Sequence, residues 1–165
     1  MSSPQCFLLI ENEMVRRVDL VLGDARGPSR VFLARRSFRH RKLVNHEEIE
    51  AIAEQYGFAI CYPEDLDFAE QARLLRGARF VLAPEGSALL LTYFLGGGGK
   101  LCLLNHPETL ALVGYNRAED RQIELTIIAG PEAGMRRGRS QDMDYSIDVD
   151  VFRCFLDGWL EADQR

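Results

Sequence analysis

The sequence predicts an α/β fold, a Rossmann-like parallel sheet with helices on both faces, and three features carry that reading. Apolar runs of strand length alternate with segments of helical periodicity, and Gly, Pro, Asn and Asp separate them. The stretch Arg79 to Phe94, RFVLAPEGSALLLTYF, goes from a buried strand through a tight turn straight into a helix. Strand and helix alternating in this way call for crossover connections, and crossovers make the sheet parallel.

The elements follow in order. Phe7, Ile10, Met14, Val18 and Val21 recur every three or four residues, predicting an amphipathic helix over Phe7 to Leu22 with Glu11, Glu13 and Arg17 outward. Leu20 to Leu22 could equally begin a strand. Gly23 to Ser29 is a loop, so residues 1–29 form an N-terminal helix and linker and residues 30–165 the sheet domain. Val31 to Ala34 is the first strand, and it runs into the cations Arg35, Arg36, Arg39, Arg41 and Lys42. Asn45 with Glu48 three residues on has the spacing of a capping box, ahead of Ile49, Ile52, Ala53 and Tyr56 at helical intervals; Gly57 stops that helix. Phe58 to Cys61 is a short strand closed by Pro63. Asp67 is the N-cap of a helix over Phe68 to Arg76, with Phe68, Ala72 and Leu75 toward the core and Gly77 as terminator.

Phe80 to Leu82 is the central strand, ended by Ala83-Pro84, and Glu85-Gly86-Ser87-Ala88 is the turn. Gly96 to Gly99 is a loop without the Lys-Ser or Lys-Thr ending of a P-loop, which excludes a nucleotide triphosphatase of that kind. Lys100 to Leu104 is a further strand. Asn105-His106-Pro107 stands at its carboxyl end, where His106 is either a turn residue or a catalytic one. Ile123 to Ala129 is the last strand, and Arg136, Arg137 and Arg139 form a second basic patch in the loop after it. Val151, Phe155 and Trp159, flanked by Phe152, Leu156 and Leu160, make the C-terminal helix.

Composition bounds the function. The 165 residues fit one domain of the usual size of about 100 to 200 residues. A net charge of −5 gives no general attraction to nucleic acid or to acidic membranes, so any anion site has to be local. Cys6, Cys61, Cys102 and Cys154 have no paired spacing and read as free thiols in a reducing compartment. His40, His46 and His106 do not group with cysteines or carboxylates at zinc-ligand spacing, so no metal site is expected. No signal pattern opens the chain and no apolar run approaches about 18 residues, so the expected location is cytoplasmic, without a membrane span.

Two stretches carry chemistry. A strand that feeds a helix abruptly leaves main-chain N–H groups unpaired at the helix start, the place where phosphates bind in open parallel sheets. Gly86 and Ala88 let a ligand approach that backbone, or they merely allow tight packing. The run from Arg35 to Lys42 is either a solvated loop or an anion-binding cluster at the carboxyl edge of the sheet. Arginine suits the second role because its planar fork holds two phosphate oxygens at once.

An aliphatic strand ending in Arg35, a basic run into Arg41-Lys42-Leu43-Val44-Asn45 with Glu47-Glu48, then Tyr56-Gly57-Phe58, Pro63-Glu64, Gln71, Ala78-Arg79 and APEGSALLLTYF come in a series. That series resembles the carboxyl-terminal domain of family 61 glycosyltransferases, of the bacterial capsular polysaccharide type, over Val31 to Leu104. The resemblance implies one half of a GT-B fold in a metal-independent, inverting enzyme with no cofactor. Such an enzyme moves a sugar from a nucleotide-sugar donor, UDP-linked by preference, to a glycan or polysaccharide acceptor. It further implies that Arg35 and Arg41 contact the donor diphosphate, that Pro84, Gly86, Ser87 and Ala88 form the donor turn, and that Asn45 and Gln71 hold the loop or touch the nucleotide. Glu85 would pair with an arginine, accept a ribose hydroxyl, or act as catalytic base toward the acceptor. The chain departs from the family pattern at Leu90 and Leu91, where the family carries polar residues.

Two functions compete on these residues. One is a glycosyltransferase or its donor-binding domain. The other is a degenerate or truncated relative that acts as a nucleotide-binding or assembly module, as a homodimer or with a partner subunit supplying the missing domain. Nucleic-acid binding is not expected, because the basic loops lack interleaved aromatic residues apart from Phe38.

Overall fold

The computed structural model describes residues 4–36, 41–95, 98–108, 122–134 and 143–161. Strands β1 (Arg30–Leu33), β2 (Ala59–Cys61), β3 (Phe80–Pro84), β4 (Lys100–Asn105) and β5 (Glu124–Ala129) form one sheet in the order β2-β1-β3-β4-β5, with every neighbouring pair parallel. Helices α1 (Pro4–Leu22), α2 (His46–Gln55), α3 (Phe68–Arg76) and α4 (Val149–Glu161) cover it, joined by 3-10 helices at Pro63–Asp65 and Ser87–Phe94. This is the Rossmann-like parallel α/β arrangement that the alternation predicts.

Strand side chains alternate between two cores, as the period of two requires. Val31, Leu33, Val81, Ala83, Leu101 and Leu103 pack on α1, α3 and the second 3-10 helix. Phe32, Phe80, Leu82, Cys102 and Leu104 pack on α2 and α4, where Trp159 meets Phe80 edge-on at 5.0 Å. Tyr145 and Ile147 belong to this second core. Tyr145 bridges Leu43 in parallel and Glu132 in antiparallel pairing, so segment 143–147 ties the loop after β1 to the chain leaving β5.

Several local expectations are corrected. Residues 20–22 are helix, and Val21 is exposed because the inward face of α1 runs through Met14, Val18 and Leu22. Asn45 precedes α2 without capping it: its ψ of 34° is not extended, and its amide is committed to Ile147 instead. Asp67 does cap α3 and forms a full capping box with Glu70, which the apolar stripe alone did not reveal. Phe68 is not a core residue: at the first position of α3 it packs edge-on against Phe94 at the groove and is 53% exposed. Val151 likewise turns outward, and Cys154 is an exposed thiol. The helix after Gly86 is of 3-10 type throughout. Ser37 to His40, Gly96, Gly97, Cys6, and the patch at Arg136, Arg137 and Arg139 lie outside the described residues, or outside those whose side chains are described.

The connectivity fixes where a ligand can sit. From β1 the chain steps outward to β2, then crosses back over β1 to place β3 on its other side and continues through β4 to β5. Loops leaving β1 and β3 therefore part company, and a crevice opens between the carboxyl ends of those strands, the usual ligand position in open parallel sheets.

Candidate functional site

Arg35 and Gly86 face each other across that crevice. Arg35 is the second residue after β1, and Gly86 the second after β3. Gly86 is fully extended (φ 171°, ψ −177°), a conformation open to any residue, so its conformation does not require glycine. Contact gives the reason: a Cβ built there would lie 3.3 Å from Arg35 Nη1, and Arg35 rests its guanidinium on the bare backbone. The 3-10 helix starts at the next residue. Leu89 N donates to Gly86 O at 3.1 Å, closing the first turn, and the N–H groups of Ser87 and Ala88 precede any partner within the helix.

A groove of about 510 Å³ opens here. Arg35, Glu64, Gln71, Ser87 and the backbone of Ala88 supply its polar lining; Pro63, Phe68, Leu90 and Leu91 form an apolar wall. Gln71 is fixed by its own Nε2, which donates to Pro63 O at 2.7 Å and Leu66 O at 2.9 Å. Arg36 is occupied elsewhere. Its backbone N–H donates to Glu64 at 2.7 Å, and its guanidinium pairs with Asp65 and stacks 4.1 Å over Tyr62, which holds the loop after β1 against the loop after β2.

The remaining candidates stand beside the groove. Arg41 has φ 58°, a left-handed conformation rare for a side-chain-bearing residue, and its charge acts on Glu85 and Tyr145. Glu85 is buried, its Oε2 has no hydrogen-bond partner among the described residues, and its backbone N–H donates to Leu104 O at 3.1 Å. Burial raises its pKa, and Arg41 pulls it part of the way back. Tyr145 donates its hydroxyl to the same Leu104 carbonyl at 2.6 Å; burial first, and then Glu85, pushes that hydroxyl up, with Arg35 and Arg41 acting in the opposite sense. Pro84 ends β3 opposite Leu104. Asn45 donates to Ile147 O at 2.8 Å and accepts from Ile147 N at 3.2 Å, so it holds the loop.

The predicted residues thus divide into two groups. Arg35, Gly86, Ser87, Ala88 and Gln71 converge on the groove; Glu85, Arg41, Asn45 and Pro84 do not line it, with Glu85 buried under the charge of the half-buried Arg41. His106 is buried at the end of β4, where its Nδ1 accepts from Glu108 N at 3.2 Å in a turn. Sequence reasoning missed Phe68 as a groove residue and Tyr145 altogether.

The family model of Glycosyltransferase 61 matches residues 7–102, more than half of the chain. The chain belongs to glycosyltransferase family 61. The family 61 match begins inside α1 and ends in β4, so it takes in both strands that flank the crevice, the Arg35 loop and the Gly86 turn. It reaches further toward the N-terminus than the resemblance that starts at Val31. No curated protein matches the chain. Among the described residues of this family 61 chain no helix is long and apolar enough to cross a membrane.

Proposed function

We propose that this family 61 chain is a glycosyltransferase, or the donor-binding domain of one, and that the groove between β1 and β3 takes the diphosphate of a nucleotide sugar. The observation that carries the reading is the guanidinium of Arg35 resting on Gly86 beside the N–H groups of Ser87 and Ala88. A cation and main-chain donors meeting at one point suit a diphosphate leaving group, which gathers charge as the sugar departs. In the inverting, metal-independent reaction the acceptor hydroxyl forms the new bond to the anomeric carbon as the bond to the diphosphate breaks. Arg35 stabilises the released nucleoside diphosphate. Glu85 is the candidate base for the hydroxyl proton, since burial raises its pKa and makes its carboxylate a stronger proton acceptor. The same reading makes the chain the carboxyl-terminal half of a GT-B enzyme of polysaccharide synthesis, with UDP as the preferred carrier.

The test is thermal unfolding with nucleoside diphosphates. UDP or a related diphosphate at a hundred times its dissociation constant is expected to stabilise the protein by about 2.7 kcal/mol, and Arg35→Ala to abolish the shift. No shift with any nucleoside diphosphate overturns the proposal. An assembly module is the second reading, favoured by the exposure of Phe68 (53%) and Leu90 (47%) on the groove wall. Sugar transfer by the chain alone refutes it.

A further inference from the structure

The groove lining has two chemical characters, and the diphosphate accounts for only the polar one. Phe68, Leu90, Leu91 and Pro63 supply the other. Exposed aromatic and leucine side chains side by side are unfavourable in water unless something covers them. Phe68 is also fixed in place: its ring meets Phe94 edge-to-face at 5.6 Å and 77°, and Asp67 and Glu70 lock the first turn of α3 on which it sits. It is a rigid, half-exposed ring in the groove that Arg35 also lines. Gln71 lines the same groove, with its Nε2 already committed to Pro63 and Leu66. Its Oε1 is the amide's remaining polar atom, an acceptor suited to a ring N–H.

We infer that the wall formed by Phe68 and Leu90 is the base subsite: the flat heterocycle of the nucleoside diphosphate packs on Phe68 while its phosphates lie at Arg35 and Gly86. This rests on the reading of the groove as a nucleotide-sugar site and adds which residues grip the base. The occupant follows from continuity, because one groove of about 510 Å³ joins the cation to the aromatic ring. Pockets for ligands of that size run from about 300 to 1,000 Å³. Leu90 is part of the same inference. Its half-exposed aliphatic side chain lines the same groove, so the base owes its affinity to stacking and apolar contact.

The experiment is calorimetric titration of the full chain with UDP, GDP, ADP and CDP beside inorganic pyrophosphate, followed by the tightest nucleotide and pyrophosphate on variants. Phe68→Leu keeps an apolar group against Phe94 and removes the ring. It is expected to weaken the nucleotide about tenfold and to leave pyrophosphate unchanged, since stacking one base on an aromatic ring accounts for about 1 to 3 kcal/mol. Leu90→Ser, at a half-exposed position, is expected to weaken the nucleotide several-fold and again spare pyrophosphate. Arg35→Ala is expected to weaken both ligands.

If Phe68→Leu and Leu90→Ser leave the nucleotide unchanged while Arg35→Ala abolishes binding, the base lies elsewhere and this inference fails with the donor site intact. If the wild-type chain binds neither nucleotide nor pyrophosphate, both proposals fail. Self-association in sedimentation that Leu90→Ser abolishes and nucleotide does not compete would make the wall a protein contact, and would likewise overturn it.

Discussion

Arg35 lies on the α-carbon of Gly86, its Nη1 only 3.3 Å from where a methyl group would project. The two residues are 51 positions apart in the chain and meet because β1 and β3 are hydrogen-bonded neighbours whose loops leave the sheet at the same level. A side chain at 86 would meet the end of a flexible arginine and not a backbone wall, so this contact governs the arginine's position more than the fold's integrity.

Gly86→Ala should therefore fold. The guanidinium has to give way by a few tenths of an ångström, which moves the charge off the axis of the Ser87 and Ala88 donors. The expected outcome is a melting temperature within a few degrees of wild type, with nucleoside diphosphate affinity reduced about tenfold. Thermal unfolding with and without ligand measures both. Unchanged affinity would mean that the fit of Arg35 to Gly86 is incidental.

Glu85 makes stability depend on pH in the sense opposite to most surface carboxylates. Burial raises its pKa, with Arg41 opposing, so the folded protein holds the proton over a range where the unfolded chain has released it. With more protons bound in the folded state, stability falls as pH rises from the ordinary glutamate range through the raised value, and stays low above it. The charge that acts on Glu85 is that of Arg41, and Glu85 in turn acts on the buried, neutral Tyr145 hydroxyl. Glu85→Gln is expected to be more stable than wild type at neutral pH and equal to it in acid. Asp65, held low by Arg36, contributes the reverse slope in both proteins, so it cancels in the comparison. Urea titrations from pH 4 to 8 would measure the difference; a constant gap at every pH would rule out titration as its source.

The strands were legible in the sequence because each is an apolar run of strand length between turn residues, and because alternation with helices leaves few arrangements other than a parallel sheet. Arg35 and the Gly86 turn were legible for the same reason, since strand ends in such sheets share one edge. The 3-10 form of residues 87–94 was not. The Ala-Leu-Leu-Leu run suits either helix, and the tighter one is set by packing of Leu89, Leu91 and Phe94 and by the Thr92 hydroxyl donating to Leu89 O at 2.6 Å. Tyr145 was invisible because its partners at Leu43 and Leu104 are distant in sequence and its own segment is too short for periodicity. Phe68 was misread because spacing gives the direction of a stripe, not whether the first turn of the helix opens on a groove.

Asn45 offers a test of how the loop after β1 is held. Its amide makes two hydrogen bonds to Ile147, at 2.8 and 3.2 Å, across 102 positions of sequence. Asn45→Ala removes both and leaves the Ile147 backbone groups half-buried without them, which should destabilise the protein by about 1 to 3 kcal/mol. Asn45→Asp keeps the acceptor but sets a carboxylate against the Ile147 carbonyl, and should be no better than alanine. Denaturant midpoints would show it; a midpoint unchanged in Asn45→Ala would mean that the bonds of Asp144, Tyr145 and Ser146 suffice to anchor this segment.

Gly77 and Gly158 separate two meanings of a glycine near a helix. A Cβ on Gly77 would fall 2.2 Å from Gly27 O, and neither backbone can yield as a side chain could. Gly77→Ala must part α3 from the linker before β1, straining the bond from Gly27 N to Arg73 O at 2.9 Å. Overpacking of this kind destabilises by about 1 to 3 kcal/mol or more. Gly158 lies inside α4 with nothing within 4 Å of its Cβ position. Alanine there relieves the conformational freedom of glycine in a helix and should stabilise by about 0.5 to 1 kcal/mol. Melting temperatures should therefore move in opposite directions for the two substitutions. If both fell, solvent access at Gly158 would be the part of the account to discard; if neither moved, the close approach of Gly27 to Gly77 would be.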